Sequence, residues 1–141
     1  MNISTFKLFM TVLLSSLLSA SVFADVAVVV HPSVSDSASK KQISRIFLGK
    51  SKKLPGGQKV TPIALSEGNA ARDEFNDKVL GKSDSQLKSY WSKLIFTGKG
   101  QPPSELDSDA DVVAKVSSDP GTIGYISQES VTDAVKVLAT F

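Results

Sequence analysis

The sequence predicts an α/β protein, a single three-layer lobe with a small mixed sheet of about four strands and flanking helices. Two observations favour this class. Short runs of β-branched and apolar residues alternate with segments whose apolar residues recur at helical spacing. The part of the chain after residue 24 also has the composition of an ordinary globular domain, and its length suffices for one small core.

Four short apolar runs predict the strands. Residues 26–30 are continuously apolar, which is typical of a strand buried on both faces, as in a parallel sheet. Residues 60–65 and residues 123–126 predict the second and third strands. The alternating segment 135–138 predicts a fourth.

The first two helices lie between the first two strands and directly after the second. Ser37 or Ser39 can cap a helix that runs through residue 48, and Gly49 is suited to end it. After residues 66–69, apolar residues at i, i+4 and i+8 predict the second helix. These residues are Ala71, Phe75 and Val79.

Two further helices are predicted in the second half. Residues 83–86 have the spacing of a capping box and begin a strongly amphipathic helix. Its apolar face comprises Leu87, Tyr90, Trp91, Leu94 and Ile95. Tyr90 and Trp91 fit either a core or a pocket wall. Residues 97–103 predict a loop, and Ser108 caps a short helix through residue 116.

Residues 1–24 have the pattern of a cleaved signal peptide. Lys7 precedes an apolar run over residues 8–18. Val22 and Ala24 then place residues of small or modest size at positions −3 and −1 of a cleavage site after Ala24. The run is much shorter than the roughly 20 residues that span a bilayer. The sequence therefore predicts an exported domain, residues 25–141, that does not insert into a membrane.

The composition excludes several classes of function. The chain has no Cys and one His, so disulfides and cysteine-ligated metals are excluded, and His31 has no partner for a metal site. The net charge of +2 gives no long-range attraction for nucleic acid. Neither a phosphate-binding loop, a dinucleotide fingerprint nor a nucleophile elbow is present. The sequence predicts neither an enzyme nor a cofactor.

The segment from Ser66 to Arg72 is the candidate ligand-binding site. It joins the carboxyl end of a predicted strand to the start of a helix, which is where open α/β sheets bind ligands. The candidate ligand-binding residues are Gly68, Asn69, Ala70, Ala71 and Arg72. Free N–H groups and a cation suit an oxyanion, whereas Glu67 repels one. The alternative is an ordinary capped helix in which Arg72 pairs with Asp73, Glu74 or solvent.

Several stretches together resemble a known family. They are residues 26–32, residues 44–50, residues 60–75, residues 79–81, residues 90–98 and residues 119–126. In this order they resemble the phosphate-binding proteins of ABC importers, in the periplasmic-binding-protein superfamily, and especially short one-domain relatives. The resemblance implies a type II binding-protein fold of which this chain is roughly one lobe. Of the family's ligand-loop pattern, Gly68 matches, as does Arg72 after it.

The resemblance implies that the exported domain lies in the periplasm, and two alternative functions are open to it. The first is an exported binding protein for phosphate or a similar small oxyanion, working with an ABC permease. The second is a ligand-free interaction or regulatory protein of the cell envelope, with an envelope sensor protein as its partner. In the first, a second copy or another protein completes the pocket.

Overall fold

Five strands form one mixed sheet in the computed structural model, which describes residues 25–141. The predicted signal peptide, residues 1–24, lies outside the described residues. The strands are β1 (Val26–Val30), β2 (Thr61–Leu65), β3 (Ser104–Leu106), β4 (Thr122–Ser127) and β5 (Lys136–Thr140). Their order across the sheet is β3-β2-β4-β1-β5.

The strand directions confirm a mixed sheet and correct one expectation. β2 runs parallel to β3 and β4, whereas β1 runs antiparallel to both β4 and β5. The residues of β1 are all buried, as the sequence predicts, but the expected parallel pairing of this strand is wrong. Its continuous burial reflects a position inside the sheet and layers on both faces, which strand direction does not determine.

Residues 25–141 form four α-helices. They are α1 (Lys40–Phe47), α2 (Ala70–Phe75), α3 (Asp84–Phe96) and α4 (Asp109–Ser118). A π-helical segment, Asn76–Leu80, continues directly from α2, and a 3₁₀ turn, Gln128–Ser130, follows β4. Ser39, rather than Ser37, caps α1, and it forms a capping box with Gln42. No helix among residues 25–141 is both long enough and apolar enough to cross a membrane.

Neighbouring residues of β4 show that helices cover both faces of the sheet. Gly124 points toward α4, where a Cβ atom would come within 2.7 Å of Val112 Cγ1. Tyr125 points to the opposite face and stacks on Phe75 of α2, with ring centroids 4.0 Å apart. Because successive side chains of a strand point to opposite faces, this arrangement places the sheet between two helical layers. The predicted three-layer α/β lobe is confirmed.

The amphipathic helix α3 packs through only part of its predicted apolar face. Leu87 and Trp91 are buried, and with Leu48 they form a small second core. Ile95 is 54% exposed, so its expected place on the packed face is wrong, and Phe96 beside it is 92% exposed. In the last turn of α3, Leu94 still packs against this second core, whereas Ile95 and Phe96 are exposed.

Candidate functional site

The loop between β2 and α2 lies at the carboxyl end of the parallel strands, as the sequence predicts. Gly68 adopts a positive φ of 87°, a conformation that glycine tolerates best. Asn69 caps α2 because its Oδ1 accepts a hydrogen bond of 2.9 Å from the Ala71 N–H. The N–H groups of Gly68 and Ala70 have no hydrogen-bond partner among residues 25–141. The loop therefore presents two unused backbone donors.

The side chain of Arg72 is nearly buried and already has several partners. Its Nε donates to Asp84 Oδ1 at 2.9 Å. Its Nη1 donates to the Leu65 carbonyl and to Glu105 Oε1, both at 2.7 Å. The sequence suggested Asp73, Glu74 or solvent as partners, but the structure pairs Arg72 with Asp84 and Glu105 instead. Only Nη2 has no partner among the described residues.

These contacts make Arg72 a clamp between four elements. Asp84 begins α3, Glu105 lies on β3, Leu65 ends β2, and Arg72 itself is on α2. Burial lowers the pKa of Arg72, but the hydrogen bonds to Glu105 and Asp84 outweigh that effect and raise the pKa overall. The guanidinium is therefore a permanent charge in a fixed orientation.

A cleft of about 390 Å³ opens beside this clamp. Apolar side chains form most of its wall, including Phe75, Trp91, Ile95, Pro102 and Pro103. Its charged lining residues are Glu67, Arg72, Asp84, Lys88 and Glu105. The sequence left open whether Trp91 belongs to a core or to a pocket wall. It does both, since it packs in the second core and also lines the cleft. Tyr90 lies outside the cleft lining and donates to the Leu48 carbonyl at 2.6 Å.

Carboxylates are prominent around the loop. Glu67 forms an exposed ion pair of 2.9 Å with Lys88. Ser66 Oγ donates to Asp107 Oδ1 at 2.8 Å. With Asp84 and Glu105 on Arg72, the local charge opposes an anion more strongly than Glu67 alone suggested. An oxyanion would therefore depend on directed N–H donors rather than on a positive local field.

Sequence reasoning missed the two carboxylates that hold Arg72. Asp84 and Glu105 lie 12 and 33 residues away from it along the chain. Asp84 is recognisable only as a favourable acid in the first turn of α3. The segment containing Glu105 was not predicted to be a strand, so no local signal placed it beside Arg72.

Tyr125 supports the carboxyl end of β2 from inside the core, where the Leu65 N–H donates to its Oη at 3.1 Å. Burial raises the pKa of Tyr125 to about 12. Because this value lies above the pKa of about 10 of an unfolded tyrosine, the neutral phenol stabilises the fold fully below pH ~10. We expect this contribution, about 2–3 kcal/mol, to be lost as the pH rises from about 10 to about 12.

Tyrosinate absorbance during an alkaline titration measures this effect directly. The chain has two tyrosines, so the Tyr90→Phe variant leaves Tyr125 as the only chromophore of this kind. The Tyr125→Phe variant should lose less unfolding free energy over the same pH window in urea titrations. A Tyr125 phenol that ionises near pH 10 in the folded protein would contradict the assignment.

The fold and the loop together define a class of protein, an α/β lobe with a candidate ligand segment where a parallel strand ends and a helix begins. No protein-family model matches the chain, and no curated protein matches its sequence. Solved structures match its fold, and they agree with the periplasmic-binding-protein resemblance. The fold of the chain is thus similar to part of the fold of substrate-binding proteins of phosphate ABC transporters.

Three of these structures cover 82% of this chain. An ABC-type phosphate transport receptor from Vibrio cholerae has a TM-score of 0.63 at 18% identity, over 46% of its own length. A candidate phosphate ABC transporter substrate-binding protein with bound phosphate, from Clostridium perfringens, has a TM-score of 0.63 at 21% identity, over 45%. PstS from Borrelia burgdorferi has a TM-score of 0.58 at 16% identity, over 47%. The chain spans less than half the length of each.

Proposed function

We propose that this protein is an exported binding protein for phosphate or a similar small oxyanion, and that Gly68, Asn69, Ala70, Ala71 and Arg72 form its binding segment. The carrying observation is the pair of unused N–H groups at Gly68 and Ala70, in the loop that leads into the helix of Arg72. The bound phosphate in the Clostridium perfringens protein of similar fold supports this choice of ligand.

Each part of the segment has a separate role in this proposal. The Gly68 and Ala70 N–H groups donate to oxyanion oxygens, and Arg72 adds a charge-assisted donor through Nη2. Asn69 and Ala71 hold the loop in shape through their own hydrogen bond. Asp84 and Glu105 orient Arg72, and their negative charge limits the affinity for an anion.

The proposed biological setting follows from the similar proteins and the amino-terminal sequence. Residues 1–24 act as a cleaved signal peptide, and residues 25–141 act in the periplasm without catalysis. The protein serves a phosphate ABC importer as its substrate-binding component and meets the permease. The chain corresponds to less than half of the length of each similar protein, so the proposed segment forms only part of such a pocket.

Isothermal titration calorimetry with phosphate, sulfate and molybdate tests the binding segment. The Ala70→Glu variant puts a carboxylate among the proposed donors at an exposed position, where an acid suits the first turn of a helix. We expect it to fold normally and to bind phosphate at least about tenfold more weakly, a cost of about 1.4 kcal/mol. Absence of binding to every anion by the wild-type protein would contradict the proposal.

Two further variants sharpen the test. Ala134→Glu makes the same substitution at an exposed residue just before β5, at the opposite edge of the sheet, and should leave affinity unchanged. Glu105→Gln removes one negative charge while its amide oxygen can still accept from Arg72. We expect it to bind phosphate a few-fold more tightly, roughly 0.5–1 kcal/mol. Weaker binding by Glu105→Gln would contradict the assigned repulsion and show that the ion pair with Arg72 is needed for binding.

The second candidate function is a ligand-free interaction protein of the cell envelope. The contacts of Arg72 favour it, because two carboxylates and a carbonyl already occupy the Nε and Nη1 donors. This function predicts capture of an envelope sensor protein from crosslinked envelope extracts, equally with and without phosphate. It also predicts that Ala70→Glu leaves this capture unchanged.

A further inference from the structure

A second concave surface lies on the exposed side of α1, away from the loop site. Its volume is about 490 Å³, and it shares no lining residue with the cleft beside Arg72. The residues that line it are Lys40, Lys41, Ser44, Arg45, Leu48, Lys50 and Val79. We call this surface the basic concavity. Four of its seven lining residues are cationic, and none is acidic.

The local structure brings these cations together. Lys40, Lys41 and Arg45 project from adjacent turns of α1, where residues four apart are neighbours. Gly49 then adopts a φ of 73°, which ends the helix and folds the chain back. The Lys50 N–H consequently donates to the Arg45 carbonyl at 2.8 Å, so the turn adds a fourth cation to the group.

The cations of the basic concavity are not neutralised by the protein itself. Among residues 25–141, none of the four forms an ion pair within 4.0 Å, and all four are exposed. Lys40 makes a cation–π contact instead of an ion pair, with its Nζ 5.9 Å from the centroid of the Phe141 ring. Four unpaired like charges repel one another, and a ligand with several negative charges relieves that repulsion.

We propose that the basic concavity binds a ligand that carries two or more clustered phosphate groups. Arg45 offers the planar fork that matches phosphate oxygens, and the three lysines add point charges around it. The buried Leu48 and Val79 give the surface an apolar floor. The concavity is open and has only seven lining residues, which suits a compact polyanion better than a protein interface of about 20–30 residues a side.

Titration with inorganic tripolyphosphate and co-sedimentation with vesicles test this proposal on the purified protein. The Lys41→Gln/Arg45→Gln variant removes two exposed charges from the concavity. We expect it to bind tripolyphosphate roughly tenfold more weakly and to unfold at the wild-type temperature. Binding by the wild-type protein should weaken steeply with added salt, because exposed charges are screened. Lys50→Glu, which lies in the turn after the helix, is expected to weaken binding similarly.

The matched control also removes two positive charges, but from a surface outside the basic concavity. Lys93→Gln/Lys99→Gln changes two exposed lysines near the end of α3 and should leave the tripolyphosphate affinity unchanged. Equal loss in this control would overturn the site, since it would show a response to net charge alone. Ala70→Glu should also leave this affinity unchanged, and a loss there would assign the polyanion to the loop site instead.

The vesicle arm distinguishes the two sources of clustered phosphate. Vesicles of phosphatidylcholine with phosphatidylglycerol present an array of anionic head groups, whereas phosphatidylcholine alone does not. Binding to tripolyphosphate alone assigns a soluble polyphosphate, and binding to the anionic vesicles that is lost in Lys41→Gln/Arg45→Gln assigns the lipid surface. Failure of the wild-type protein to bind either probe would overturn the proposal.

Discussion

Replacing Phe75 by alanine is expected to lower the free energy of unfolding by about 3 kcal/mol, within the range of about 3–5 kcal/mol for such truncations. Phe75 is 1% exposed. Its ring stacks on Tyr125 with 6° between the planes and meets the edge of Phe47 at 4.7 Å between centroids. Because Phe75 also lines the cleft beside Arg72, water can enter the space that truncation leaves, which limits the cost.

Urea denaturation followed by tryptophan fluorescence measures this loss. The chain has one tryptophan, Trp91, which lines the same cleft. Phe96→Ala is the matched control, because its ring is 92% exposed, and it should change the free energy of unfolding by less than about 0.5 kcal/mol. Equal effects of the two substitutions would contradict the placement of Phe75 in the core.

The helix starts of this protein could be predicted because their signals are local. Ser39 with Gln42 and Ser83 with Gln86 form capping boxes within three residues, so the pattern and the contact coincide in sequence. The π-helical segment after α2 has no comparable signal. Its residues continue the apolar spacing of the preceding helix, so the sequence predicts one continuous α-helix there.

Features that depend on distant partners could not be predicted. The strand β3 has only three residues, and none of them is buried. It exists because it pairs in parallel with β2 at the sheet edge, from Ile63 to Leu65. The loop after β2 follows the same rule, since local pattern predicts Gly68 between the strand and the helix and Arg72 in the first turn of that helix, where the structure has them. The carboxylates on Arg72 depend on the packing of α3 and β3 around it.

Replacing Arg72 by methionine is expected to lower the free energy of unfolding by about 2–3 kcal/mol. Removing one partner of a buried ion pair typically costs about 3–5 kcal/mol, and water reduces that cost here. The side chains of Asp84 and Glu105 are 30% and 47% exposed, so solvent partly replaces the lost guanidinium. The Leu65 carbonyl also loses its hydrogen bond to Nη1. Urea denaturation measures the change.

Removing the carboxylates together with the guanidinium separates the charge effect from lost packing. The Arg72→Met/Asp84→Asn/Glu105→Gln variant should regain at least about half of the stability lost in Arg72→Met, because no unpaired carboxylate then remains near the core. Lys88→Met breaks the exposed pair with Glu67 and should change stability little. If the triple variant is less stable than Arg72→Met, the clamp stabilises the fold through its geometry rather than through charge balance.

One more variant, Arg72→Lys, separates the structural role of Arg72 from its proposed role in binding. Arg72→Lys keeps the positive charge but cannot reach Asp84, Glu105 and the Leu65 carbonyl together, since it lacks the planar fork. A clamp alone predicts that Arg72→Lys loses stability while its phosphate affinity, measured by calorimetry on the folded fraction, is unchanged. A donor to the ligand predicts that affinity falls as well. Loss of affinity without loss of stability would contradict the clamp, because its contacts to three other elements require the stability to fall when they are broken.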